Sequence, residues 1–253
     1  KNFIKKKVRC KMPNWCSNYL RVSGDIPELV EKFYETAKGK GLYWDKSGVT
    51  RNTDEKTETQ ALDFSQFLYP DRVDASFSDY GWGWCVDHWG TKWNACFVAC
   101  SKDSNPESSD FSVSYNFDTA WSPMSTELLV AMKKRFPSLT FHYEFSESGC
   151  GFYGSADDDG EVFTYSYLED DDIWSTIDKL FDIGYYKYDD QYDREEQREE
   201  AYDEVFEMYE GLIWDSECDH EIDAEELYKH IVDMWEFEKQ TTLKSNENIQ
   251  ATN

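Results

Sequence analysis

MPNWCSNYLRVSG, the stretch from Met12 to Gly24, decides the topology of this chain. Tyr19 to Val22 alternates at the two-residue period of a strand, and Ser23-Gly24-Asp25 breaks it. Pro27 then opens a helix, because its fixed φ and missing N–H suit a first helical turn. Leu29, Val30, Phe33, Tyr34 and Ala37 share one face of that helix. A strand followed at once by an amphipathic helix is a first β-α step. The stretch also reads as a protein start. Lys1, Lys5, Lys6, Lys7, Arg9 and Lys11 precede Met12 as a basic leader with no apolar run, and residues 1–11 are expected to stand outside the fold. The opposing reading of the leader is a nucleic-acid-binding arm.

Further along, Gly39 to about Asp63 is rich in Gly, Thr, Asp and Lys and reads as an irregular excursion. From Thr91 to Cys100, Trp93, Ala95, Phe97 and Ala99 fall on one strand face, with Asn94, Cys96, Val98 and Cys100 on the other. A polar turn, Lys102 to Asp110, leads to a second alternating run, Phe111 to Phe117. Pro123 and Ser125 introduce a helix through Leu128, Leu129, Ala131, Met132 and Phe136, stopped by Pro137, and Leu139 to Phe145 is a further strand. The order strand, helix, strand, strand, helix, strand is the ferredoxin-like βαββαβ pattern of an α+β protein with an antiparallel sheet. An extra β-hairpin follows from Gly151 to Leu168, turning at Asp157-Asp158-Asp159-Gly160.

Beyond it the chain is acidic yet periodic. Ile173, Trp174, Ile177, Leu180 and Phe181 mark one helix, and Tyr202, Val205, Phe206, Tyr209, Leu212 and Ile213 a second. Leu227, Tyr228, Ile231, Met234 and Trp235 mark a third, behind a capping pair, Asp223 with Glu226. The expected organisation is a domain over residues 12–168, an acidic α-helical C-terminal extension over 169–240, and a frayed tail over 241–253.

Five blocks carry a resemblance: MPNWCSN at Met12, LDFSQFLYP at Leu62, WGTKWNA at Trp89, FDTAWSPM at Phe117 and ESGCGFYG at Glu147. Together, and in this order, they resemble the YubB ferredoxin-like domain family of phages, plasmids and mobile elements. The resemblance spans about residues 12–168 and implies the fold, a bacterial host and a mobile-element setting. It implies no activity.

Composition excludes several function classes. The net charge is −26, and residues 169–253 hold 28 acidic against 7 basic side chains, a net of −21. Phosphate contacts need Lys and Arg on one face, so direct nucleic-acid or anionic-membrane binding is not expected. The strands also lack interleaved basic and aromatic residues of the RNA-binding type. Seven cysteines, an odd number without paired metal spacing and without a secretory signal, read as reduced thiols in a cytoplasm. No cysteine run has iron–sulfur spacing, and no cofactor or metal is assigned.

The chemistry concentrates around the tryptophans. Trp82, Trp84, Trp89, Trp93 and Trp121 fall near His88, Lys92, Asp118 and Glu147 in sequence or in the family blocks. One reading is a shallow aromatic pocket in which Lys92, Asp118 and Glu147 contact a ligand or partner; the other makes the indoles core, with Lys92 paired to a carboxylate at its edge. Trp89, Lys92, Trp93, Asp118, Trp121 and Glu147 are therefore the candidate binding residues. Cys16, Cys85, Cys96, Cys100 or Cys150 with His88 or His142 would be the components of a thiol nucleophile, but no local signature supports one. Cys96 and Cys100 on one strand face with His88 make at most three zinc ligands. DSECDHEIDAEE, Asp215 to Glu226, spaces its carboxylates like a calcium loop, but His220 stands where the sharp turn needs glycine.

The sequence therefore favours a non-enzymatic protein of a mobile element, in a bacterial cytoplasm, whose acidic helical face engages a basic host or phage protein. Its extreme form is a DNA mimic or anti-defence factor. The alternative is a small-ligand or nucleotide-binding or -processing domain centred on Lys92, Asp118 and Glu147 beside the tryptophans.

Overall fold

In the first strand, β1 (Trp15–Gly24), Cys16, Asn18, Leu20 and Val22 are buried on one face, and Ser17, Tyr19 and Arg21 take the other. The strand is longer than its apolar alternation because it is central. It pairs antiparallel with β5 (Phe111–Ala120) along its whole length and with β6 (Thr140–Glu147) from Ser17 to Ser23. Leu20 lies between Tyr115 and Tyr143, and Val22 between Val113 and Phe141, so one face is a continuous apolar layer.

The computed structural model describes residues 14–45, 48–70, 81–103, 111–189, 192–216 and 220–251. The chain divides into two compact units, Lys1–Thr164 and Tyr165–Asn253. In the first, the sheet order is β4-β5-β1-β6-β7-β8, with β4 at Cys96–Asp103, β7 at Phe152–Asp157 and β8 at Val162–Ser166. Helices α1 (Pro27–Ala37) and α3 (Thr126–Arg135) supply the two crossovers. The inner order β4-β5-β1-β6, antiparallel throughout, is the ferredoxin-like arrangement, and β7 and β8 extend it as the expected hairpin.

Helix α1 buries Val30, Phe33 and Ala37. The Phe33 ring meets Phe67, Phe136 and Phe141 at 5.4, 5.2 and 5.5 Å and is fully buried, so it anchors the helix to the sheet. Helix α3 starts where Ser125 caps it, its Oγ accepting the Leu128 N–H at 3.2 Å. Lys133, Lys134 and Arg135 complement the dipole at its end, before Pro137.

Three features depart from the sequence reading. The excursion contains a separate two-stranded sheet, β2 (Leu42–Asp45) with β3 (Gly48–Arg51), and Gly39 bridges Gln60. It is tied down by the fully buried Asp63 carboxylate, which accepts from the Gly41 N–H, the Ser65 N–H, Asn94 Nδ2 and Gln66 Nε2 at 2.9 to 3.1 Å. Trp82–Trp89 forms a helix, α2, bracketed by Gly81 and Gly90 at φ 78° and 76°, conformations that glycine adopts without penalty. Finally, the strand expected over Thr91–Cys100 begins only at Cys96. Its register slips between Cys96 and Ala99, and Phe97, at φ 52°, is 74% exposed although the expected alternation puts it on one face with Ala95. The bulge breaks the period, so Ala95 is buried while Phe97 faces out, and Cys96 and Cys100 are not held on one regular face. Residues 104–110 of the expected turn lie outside the described residues.

The second unit holds three helices, α4 (Asp170–Asp182), α5 (Arg194–Asp215) and α6 (Ala224–Ala251), which pack on one another. Ile173, Ile177 and Leu180, then Ala201, Val205, Tyr209 and Ile213, then Leu227 and Ile231 are buried at helical spacing. Asp193 caps α5 by accepting from the Glu195 and Glu196 N–H groups, and Asp223 does the same for Glu225 and Glu226. Among the described residues, no helix is long and apolar enough to cross a membrane.

Candidate functional site

The six candidate residues separate. Trp89 is 2% exposed, packs edge-on against Phe64 at 5.8 Å and donates Nε1–H to the Leu68 carbonyl at 3.1 Å, so it is core. Lys92 and Trp93 stand beside it in a cleft of about 320 Å³, lined also by Leu42, Tyr43, Trp82, Cys85 and Asn94. The Lys92 ammonium lies 3.8 Å above the Trp82 ring and 5.4 Å from that of Trp93. Among the described residues it forms no ion pair, contrary to the expectation of a carboxylate partner at the edge of the core. Asn94 is a rigid wall: its Oδ1 accepts from the Phe64 and Ala95 N–H groups, and its Nδ2 donates to Asp63.

Asp118 and Glu147 do not line this cleft. Asp118 pairs with Ser17, and Ser17 with Ser146, so these three share a sheet face; Glu147, one residue on, takes the opposite face. Burial raises the Asp118 carboxyl above its ordinary range, and a Ser17 hydrogen bond partly offsets this. Glu147 is 2% exposed; its Oε1 accepts the Gly149 N–H at 3.1 Å, while among the described residues no geometric hydrogen bond reaches Oε2. Trp121, at φ 75° and 45% exposed, follows β5 and donates its N–H to the Asn14 carbonyl. Of Lys92, Asp118 and Glu147, which the sequence groups together, Lys92 lines the cleft and the two carboxylates do not. Leu42, Tyr43 and Asn94 escaped the sequence reading; the run Gly41 to Thr50, with glycines bracketing Leu-Tyr-Trp, was the signal for the hairpin that brings the first two.

Four of the five candidate thiols are held toward the protonated form. Burial pushes Cys16 up to about 12 and also raises Cys96 and Cys100, while a hydrogen bond to Glu147 raises the exposed Cys150. His88 is engaged elsewhere, its Nδ1 lying 3.2 Å from the Glu127 carboxylate and its ring lying tilted against that of Trp84, 4.6 Å between centroids. His142 pairs with the buried Glu144. Among the described residues, no three His, Cys, Asp or Glu side chains are placed to hold a metal ion. Residues 217–219 of the calcium-like loop lie outside the described residues; its last carboxylate, Glu226, pairs with His220 at 3.0 Å.

The other prominent surface is acidic. On α5, Glu196, Glu199, Glu200, Asp203 and Glu207 are all exposed, opposite the buried stripe Ala201, Val205, Tyr209 and Ile213. Arg198 answers Asp178, but most of these carboxylates face solvent.

Fold and surface together define an α+β protein with a ferredoxin-like domain and an acidic helical C-terminal region. Residues 100–211 match a family model described as the ferredoxin-like domain in Api92-like protein. That match starts within β4 and ends within α5, so it takes in α4 and leaves out β1 and α1. It carries the fold expected from the sequence blocks, under the Api92 name instead of the YubB name. Among solved structures, the chain is similar to the crystal structure of protein Api92 from Yersinia pseudotuberculosis, at 10% identity and a TM-score of 0.42, over 62% of this chain and 99% of that one. No curated protein matches it.

Proposed function

We propose that this chain is a non-enzymatic docking protein whose helical C-terminal unit binds a positively charged protein surface in a bacterial cytoplasm, as a mobile-element product acting on host or phage machinery. The observation that carries this reading is the ordered display of charge on α5. Glu196, Glu200, Asp203 and Glu207 recur at intervals of three and four along a helix whose opposite side is a fully buried apolar stripe. Carboxylates on a rigid helix form a fixed potential, whereas the same residues in a disordered tail would average it out. Successive turns present charge about every 5.4 Å, within a factor of two of the phosphate rise along one DNA strand, and so a nucleic-acid-binding protein is the partner class this face suits best.

The test compares the full chain with a variant carrying Glu196→Gln, Glu199→Gln, Glu200→Gln, Asp203→Asn and Glu207→Gln. Both are used as bait in nuclease-treated bacterial lysate. Expected is a set of basic proteins retained by the native chain, released by raised salt and by competing duplex DNA, and lost with the variant. Retention of the same proteins by the neutralised chain defeats the reading.

A further inference from the structure

The cleft between α2 and β2 is independent of the acidic helices and has its own chemistry. Its floor is buried, with Trp89 and Cys85 at 2% and 3% exposure, while Tyr43 and Trp82 at its mouth remain 56% and 41% exposed. Flat rings left open to water beside a cavity of about 320 Å³ offer stacking surface to a planar group, at the lower end of the usual size for small-molecule sites. Three elements build the cleft: β2 brings Leu42 and Tyr43, α2 brings Trp82, Cys85 and Trp89, and the segment before β4 brings Lys92, Trp93 and Asn94.

The charge in the cleft selects the ligand. An aromatic cleft without a charge of its own would suit a quaternary ammonium, held by the ring faces. Here Lys92 already occupies that place, 3.8 Å above Trp82, and so repels a second cation. Its ammonium has rings for neighbours and forms no ion pair among the described residues, whereas Lys38, Lys102 and Lys133 of the same unit each hold a carboxylate. An ammonium keeps hydrogen-bonding capacity in such surroundings that indole faces do not satisfy, and an anion would.

We infer that this cleft binds a small planar anion, an aromatic ring system carrying a phosphate or carboxylate, of the size of a nucleoside monophosphate. The rings of Tyr43 and Trp82 stack on the planar part, and Lys92 swings from the indole to the anionic group. Asp118 and Glu147 take no part, which distinguishes this site from the one expected from sequence.

The test is calorimetric titration of the full chain with AMP and UMP, set against adenosine, inorganic phosphate and choline. Expected is binding of the nucleotides that is tighter than that of adenosine or phosphate alone, with none for choline. Lys92→Gln should weaken AMP by about tenfold and leave adenosine unchanged, while Tyr43→Ala weakens both. Lys92→Arg keeps the charge and should retain AMP within about threefold. Choline binding as tight as AMP, unchanged AMP affinity in Lys92→Gln, or no heat from AMP at millimolar concentration would each overturn the assignment. If Lys92→Gln fails to fold, the salt dependence of AMP binding to the native chain decides, and insensitivity to salt counts against it.

Discussion

Replacing Asn18 by alanine tests the buried polar network that joins three strands to the segment after β5. Asn18 is 3% exposed. The two N–H groups of its Nδ2 are shared among three acceptors, the carbonyls of Cys16 and Phe117 at 2.7 and 3.3 Å and Thr119 Oγ1 at 2.9 Å. Its Oδ1 accepts the Tyr143 hydroxyl at 2.5 Å, and that hydroxyl in turn accepts the Met124 N–H at 2.7 Å. Thr119 closes the circuit by donating to the Ser122 carbonyl at 2.6 Å. Asn18→Ala strands the buried Tyr143 hydroxyl, at about 1 to 3 kcal/mol, and strips donors from Thr119 and two carbonyls, for a total near 3 kcal/mol. Tyr143→Phe strands the Met124 N–H and the Asn18 oxygen instead, for about 2 kcal/mol. Each single change already orphans the other's partner, so the double variant should fall short of the summed losses by about 1 kcal/mol or more. Urea unfolding followed by tryptophan fluorescence gives the three values, read on the transition of the first unit, because two units need not melt together. Additivity within about 0.5 kcal/mol, or a loss below about 1 kcal/mol for Asn18→Ala, would refute a coupled network.

Three further outcomes follow from the geometry. Gly90→Ala forces a side chain onto φ 76° and puts its Cβ 2.8 Å from the Pro123 carbonyl and the Ser125 N–H, so a loss of at least about 2 kcal/mol is expected in the same urea assay. Glu147→Gln removes the carboxylate that keeps the Cys150 thiol protonated, so Cys150 should alkylate faster at mildly alkaline pH, while buried Cys16, pushed up to about 12, stays unreactive in both chains. Asp118 binds its proton more tightly folded than unfolded, so it favours the native state at low pH and that contribution disappears as pH rises through its raised folded value. Asp118→Asn should flatten that part of the stability profile just above the ordinary carboxylate range, and an unchanged profile would remove the burial argument.

What the sequence determined by itself was whatever rests on near neighbours. The alternation of Leu20 and Val22, Pro27 at a helix start, Ser125 as a cap and Pro137 after a helix are local, and the observed α1, α3, β1 and β6 follow them. The stripes of Val205, Tyr209 and Ile213 and of Leu227 and Ile231 likewise announce the acidic helices, since each apolar stripe must be covered. In the candidate site, Trp89, Lys92 and Trp93 were legible as a group because they are adjacent in the chain. Only tertiary structure decided the rest. Phe97 alternates correctly on paper, but a bulge against β5 turns it out, and bulges come from pairing between strands. Tyr43 reaches the cleft because Asp63 and Asn94, thirty-one residues apart, share a hydrogen bond that holds the excursion in place. Asp118 and Glu147 parted because strand pairing put them on opposite faces of one sheet, and a side chain's face is settled by register, which spacing along the chain does not record.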